Sequence, residues 1–226
     1  MMTTLNQTQK IAVIGATGYV GQAVVAELAN RGHQVTAFAR NIDKVVKSDK
    51  VQAVSFDVNS TNFAEQLTGF DAVISAFNAG WTNPNLAQDN KTGLANIVEA
   101  AKTAKVPYLL VVGGAGSLYV AEGVQLIDTP NFPSEIFDGA NAVRNLLADL
   151  KARNDVNWSF ISPPALLGAD AGYSEQRTGK YRLGNNYLLM NGDIPAGISV
   201  TDLAIAIVDD AEKKAHLHQH FTVAAE

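Results

Sequence analysis

Glycines at positions 15, 18 and 21 give the spacing G-x-x-G-x-x-G, directly after the apolar run 11–14 and directly before a segment with apolar residues at 20, 24, 25 and 28. Glycine at these points permits a tight turn, brings backbone close to a ligand and lets a helix pack on a strand, while the helix N-terminus offers unpaired N–H groups to an anion. That is the chemistry of pyrophosphate binding, and it falls to Gly15, Thr17, Gly18, Tyr19, Val20 and Gly21. Without a ligand, the same glycines would merely make a strand–helix turn. The next apolar run ends at Arg40, where a fold that binds NAD places an acidic residue on the adenosine ribose. A guanidinium pairs bidentately with phosphate oxygens and a carboxylate repels them, so Arg40, with Lys44 close behind, points to NADP over NAD. A solvated surface arginine is the plainer alternative. Asp57, with the Val58 backbone, is placed to meet the adenine, or to open the next helix as an Asx turn.

These residues need strands that end together and helices that begin there. From Lys10 onward β-branched runs alternate with helix-period segments: IAVIG then 19–31, QVTAFA then 41–47, VQAVSF then 61–68, DAVISAF then 86–104, PYLLVVGG then 134–153, and VNWSFISP. Near-continuous apolar strands imply a parallel sheet covered on both faces. Right-handed crossovers give an α/β, Rossmann-like, doubly wound sheet of order 3-2-1-4-5-6, with HFTVAA available as a seventh strand. The chain reads as a single domain over 1–226, with 165–197 as a hairpin-bearing insertion on the substrate side. A last helix is expected over 201–214, N-capped by Thr201.

Several chemistries are excluded or disfavoured. The chain has no cysteine, which removes disulfides, thiolate metal sites and a cysteine nucleophile. With 17 basic against 22 acidic residues, a net charge of −5 and no basic cluster, nucleic acid is not an expected partner. The start, MMTTLNQTQK, has no apolar stretch of signal-peptide length and no run is long enough to span a bilayer, so a cytoplasmic protein without membrane attachment is expected. His216, His218 and His220 alternate, a spacing that diverges on a helix, so no metal site is expected. His33 reads as a surface turn residue, and Asp202, Asp209, Asp210 and Glu212 as the solvated face of the last helix. No G-x-S-x-G elbow supports a hydrolase.

Taken together, KIAVIGATGYVG, Arg40, Asp57, LLVVGGAGSL, NWSFISPPALL, TGKYRLG and ISVTDLAIAIVD resemble the short-chain dehydrogenase/reductase superfamily over nearly the whole chain. Within it they are most similar to the atypical NAD(P)H-flavin reductase and biliverdin-IXβ-reductase-like group. The resemblance implies a nicotinamide near 75–80, 113–117 and 162–166, hence near Ala76, Phe77, Gly113, Gly114, Pro163, Pro164, Ala165 and Leu166. One departure is informative. The superfamily's usual Tyr-x-x-x-Lys, in which a lysine lowers a tyrosine pKa for proton exchange with a carbinol, occurs nowhere in this sequence.

An NADPH-dependent oxidoreductase passing hydride directly to a flat conjugated acceptor, a flavin or a quinone, fits that departure, because proximity and orientation are then the protein's main contribution. Flavin would be a substrate and not a prosthetic group. Ser117 is the candidate catalytic residue, donating to a substrate carbonyl, or else a turn residue. Phe77, Trp81 and Tyr119 offer an aromatic wall for a planar ring, or plain packing. Tyr173, Tyr181 and Arg182 are further candidates for the acceptor pocket, with pinning of the hairpin the stronger reading for Tyr181. The alternative from another class is a regulatory protein that senses NAD(P) without turnover; a sugar-nucleotide epimerase would need a larger substrate domain. The helices at 86–104 and 134–153 offer a homo-oligomer interface unless the sheet consumes their apolar faces.

Overall fold

The computed structural model describes residues 8–226. Eight strands make one sheet: β1 Lys10–Ile14, β2 Gln34–Ala39, β3 Val51–Ser55, β4 Ala72–Ser75, β5 Leu109–Val112, β6 Trp158–Ser162, β7 Arg182–Gly184 and β8 His220–Ala224. Their order is β7-β8-β6-β5-β4-β1-β2-β3, and every pair is parallel except β7 against β8. The expected order is therefore present and extended by two strands. HFTVAA pairs with β6, and a piece of the insertion caps it as the edge.

Five helices flank the sheet: α1 Tyr19–Asn30, α2 Phe63–Gln66, α3 Leu86–Thr103, α4 Ser134–Lys151 and α5 Val200–Lys213. Alternation along β1 shows why both faces must be covered. Ile11 and Val13 enter a core with Val24 and Leu28 of α1 and Ile207 of α5, whereas Ala12 and Ile14 enter a second core with Leu94 and Ile97 of α3 and Leu147 of α4. Side chains of period two leave no polar face on such a strand. The strand order reverses between β1 and β4, so the loops leaving these two strands diverge and open a crevice at their C-terminal ends. Among the described residues no helix is long and apolar enough to cross a membrane.

Several local expectations need correction. Residues 41–47 form turns and not a helix: the Asn41 carboxamide accepts from Asp43 N, and of that segment Val45 alone is buried. Helix α5 is capped by Ser199, whose hydroxyl accepts from Asp202 N at 3.0 Å; Thr201 lies inside the helix and donates instead to Glu175 O. The acidic residues of α5 are not a solvated face. Asp202 accepts from Thr178 and Gly179, and Asp210 from Tyr108, Ser159 and His216, so each buried carboxylate is satisfied by donors. Asp209 receives Arg31 and Tyr181, and Glu212 receives Arg31 and His33. His33, expected at the surface, is 1% exposed, its Nδ1 accepting from Gln9 N and its Nε2 facing Glu212. The three late histidines lie in the turn after α5 and at the start of β8, each with its own partner: Asp210, Val156 O and Ser162.

Candidate functional site

The crevice at the C-terminal ends of β1 to β4 is a cleft of about 290 Å³. At its base, Gly15 N and Ala16 N donate to Phe38 O, which ties the glycine loop to the end of β2. Gly15 has φ +77°, and a Cβ there would stand 2.5 Å from Ala76 O, so the turn out of β1 presses against the exit of β4. A Cβ at Gly21 would stand 2.1 Å from Gly15 O, which explains the third glycine: α1 packs directly on the loop. Gly18 is the N-cap of α1 and brings no side chain to it, leaving the first-turn N–H groups directed at the cleft's edge.

From Gly15, Thr17 and Gly18 the lining runs past Phe38 and Arg40 to Asp57, Val58 and Asn59 on one bank, and along Ala76, Phe77, Asn78 and Ala79 on the other. The Arg40 guanidinium reaches across and donates to Ala79 O at 3.4 Å. Asp57 accepts from both Asn59 N and Asn59 Nδ2 at 2.9 Å, so it makes the Asx turn and lines the cleft at once. The opposite bank is held from below by buried Asn90 of α3, whose Oδ1 accepts from Ala79 N at 2.8 Å. These residues fit a dinucleotide: the glycine cradle that a Cβ would fill, the free helix N-terminus and an arginine at the far lip suit, in turn, a diphosphate's close approach, its charge and a ribose-borne anion.

Apart from Phe77, which lines the cleft, the other candidates stand outside it. Gly113 is the close approach of β5 to the Phe160 ring, and Gly114 leads into the turn Ala115–Ser117. Pro163, Pro164 and Ala165 follow β6, and Leu166–Leu167 pairs in parallel with Gly197–Ile198. Ser117 is 2% exposed within its turn, which leaves it no open approach in this conformation. Phe77 lays its ring against Gly93 of α3, Trp81 is 61% exposed beside Gly139 of α4, and Tyr119 meets Tyr187 at 5.6 Å between ring centroids. Tyr173 packs over Gly197. Tyr181 pins the insertion through Asp209 and Arg182 pins its hairpin through Met190 O and Asn191. Tyr19 and Val20 open α1, with the Tyr19 hydroxyl donating to Glu175; partial desolvation first, and that carboxylate second, push the hydroxyl up to about 12. Phe56, Asn59, Asn78, Asp89 and Asn90 were not singled out from sequence. All but Asn90 line the cleft; Phe56, Asn59 and Asn78 are marked by their position just beyond strands β3 and β4, whereas Asp89 comes from the first turn of α3.

A glycine loop at the reversal point of a doubly wound sheet, joined to a cleft with an arginine at its lip, defines a nicotinamide-dinucleotide-binding Rossmann protein. The chain belongs to the NAD(P)H-binding family, whose profile matches residues 15–212, and within the short-chain dehydrogenase/reductase superfamily it falls in the atypical group. It is 39% identical over 219 residues to YwnB of Bacillus subtilis strain 168, an uncharacterized protein, covering 96% of this chain and 99% of that one. Among solved structures, SP1627 of Streptococcus pneumoniae TIGR4, named as a candidate NADH-flavin reductase, is 35% identical with a TM-score of 0.82, covering 96% and 100% of the two chains. A candidate epimerase of Bacteroides thetaiotaomicron is 34% identical with a TM-score of 0.86, covering 97% and 98%. What these structures share with the chain is the fold; their names diverge at the reaction.

Proposed function

We propose that the protein is an NADPH-dependent reductase that delivers hydride to a flat conjugated acceptor, a flavin or a quinone. The observation that carries the NADPH part is Arg40 at the end of β2: it lines the cleft where the ribose end of the cofactor would lie, and its bond to Ala79 O is long for an N–H···O contact and readily exchanged for phosphate oxygens. The acceptor part rests on α4. This helix reads SEIFDGANAVRNLLADLK, without tyrosine, and Ser117 is buried, so no phenol–lysine pair stands ready to give a carbonyl its proton. A reduced nicotinamide supplies hydride, and a flavin or quinone can take its accompanying proton from water. The chain's own work is then binding and orientation, with Thr17, Gly18 and the first turn of α1 at the diphosphate, Arg40 at the 2′-phosphate, and Asp57 and Val58 at the adenine. Trp81, Tyr119 and Tyr173 are the side chains we place toward the acceptor.

The reading is tested by following oxidation of NADPH, and separately NADH, against FMN, riboflavin and a panel of small quinones, beside calorimetric binding of each nucleotide. NADPH turnover with a flavin or quinone supports the reductase. Tight binding of NADP(H) with no oxidation by any acceptor would replace it with a nucleotide sensor.

A further inference from the structure

The insertion contains a strap, residues 168–181, whose two ends are fastened in different ways. Its distal part is nailed to buried carboxylates. Arg177 donates twice to Glu27 of α1, at 2.9 and 2.8 Å, and Asp202 of α5 accepts from Thr178 N at 2.9 Å, Thr178 Oγ1 at 2.7 Å and Gly179 N at 2.9 Å. Tyr181 adds its hydroxyl to Asp209 at 2.6 Å. Glu27 and Asp202 are 4% and 3% exposed, so the acceptor ends of their five bonds lie out of solvent, although Arg177 itself is 54% exposed.

The proximal part is fastened in the open. Glu175 is exposed, and its Oε1 accepts both from Ala169 N, within the strap, and from the hydroxyl of Tyr19, which is 53% exposed. Tyr19 directly follows the second glycine of the phosphate loop. Its hydroxyl lies 2.0 Å from where a Cβ at Gly168 would stand, and Gly168 has φ +75°, so position 168 is shaped to receive this tyrosine. The Tyr19–Glu175 bond therefore joins two banks: the start of α1, where the diphosphate would lie, and the loop leaving β6, toward which the rest of a dinucleotide extends from the adenosine cleft.

We propose that Glu175 is a positioning residue: through Tyr19 it holds the loop after β6 against the glycine loop and so sets how fast a bound dinucleotide leaves. The inference rests on the reading of the cleft as an NADP(H) site. The fastening is asymmetric, one bond to an exposed carboxylate against five to two buried ones, so the Tyr19–Glu175 bond can open while the others keep the strap in place. An adenosine fragment ends at the cleft and does not reach the strap, whereas a whole dinucleotide does.

The test measures stopped-flow release of NADPH and calorimetric binding of 2′,5′-ADP, for the wild type, Glu175→Ala, Glu175→Gln, Tyr19→Phe and the double variant Tyr19→Phe/Glu175→Ala. Loss of one exposed hydrogen bond to a carboxylate should speed NADPH release roughly three- to tenfold in Glu175→Ala and Tyr19→Phe. The double variant should go no further than the faster single one, because both remove the same bond. Glu175→Gln keeps an acceptor oxygen and should restore most of the slow release, and 2′,5′-ADP affinity should be unchanged in both Glu175 variants. Unaltered NADPH release in Glu175→Ala and Tyr19→Phe, or a matching loss of 2′,5′-ADP affinity in Glu175→Ala, would overturn the inference while leaving the cofactor reading intact. A wild-type protein that binds neither probe would overturn both.

Discussion

At the scale of single residues, Arg40 and Gly21 make opposite kinds of prediction. Arg40 is a reaching side chain whose contact at Ala79 O is weak, so its removal should leave the fold alone and act on the ligand. Arg40→Ala is expected to weaken NADPH by about 1.5–3 kcal/mol, the worth of a charge-assisted bond, with little change for NADH. Isothermal titration of both nucleotides checks this, and equal losses would return Arg40 to the solvated surface. Gly21 concerns backbone. An alanine methyl would stand 2.1 Å from Gly15 O, a backbone atom that cannot rotate away, so Gly21→Ala must push α1 off the loop. The expected cost is about 1–3 kcal/mol of stability together with loss of nucleotide binding, read from thermal melts with and without NADPH.

At the scale of elements, α5 shows where reading the sequence succeeds and where it stops. Strands β1 to β6 and the long helices were legible because apolar period is a local property, and the phosphate loop because strand, three glycines and helix follow one another within a dozen residues. The acidic residues of α5 were misread as a solvated face because their partners are remote in sequence. Asp210 is satisfied by Tyr108 and Ser159, and Asp202 by Thr178 and Gly179, pairings that nothing in the helix's own residues announces. The same distance hid His33 and its partner Glu212. In the site, the glycine cradle and Arg40 were visible in sequence, whereas Asn90 was not: a buried asparagine holding a loop looks like any helix residue until Ala79 N is seen on it. Two substitutions separate these roles. Ser199→Ala removes the α5 cap and should cost about 1 kcal/mol, seen as a lower urea midpoint with unchanged slope. Asp210→Ala strips a shared acceptor from two buried hydroxyls and should cost more, about 2–4 kcal/mol in the same assay.

At the scale of the whole molecule, acid should act in two steps. His220 is held neutral: burial first, and the Lys151 ammonium second, lower it from 6.5 to about 4. Between those values the unfolded chain binds a proton that the folded chain refuses, so stability falls as pH falls through this window, by about 3 kcal/mol in all. Glu27 and Asp209 follow at lower pH. Burial works to raise both carboxyls, but Arg177 and Arg31 around Glu27, and Tyr181 and Arg31 around Asp209, outweigh it and hold them below the ordinary range. Their contribution is present above the usual carboxylate pKa and is lost as pH drops through the folded values. Urea midpoints measured from pH 7 to pH 3 should therefore fall from about pH 6.5 in the wild type. In His220→Gln the upper part of that slope should vanish and the lower part persist. The order of strands carries one more consequence, for the chain while it is being made. β8, residues 220–224, lies between β6 and β7 in the finished sheet, although both of those precede it in the chain. As synthesis proceeds from the N-terminus, β6 emerges with one edge open and β7 has no strand to pair with, until some forty residues later the segment between them arrives. Closing the sheet is thus a late, long-range step, and the bare edge of β6 is the surface a nascent chain must keep from other strands in the meantime.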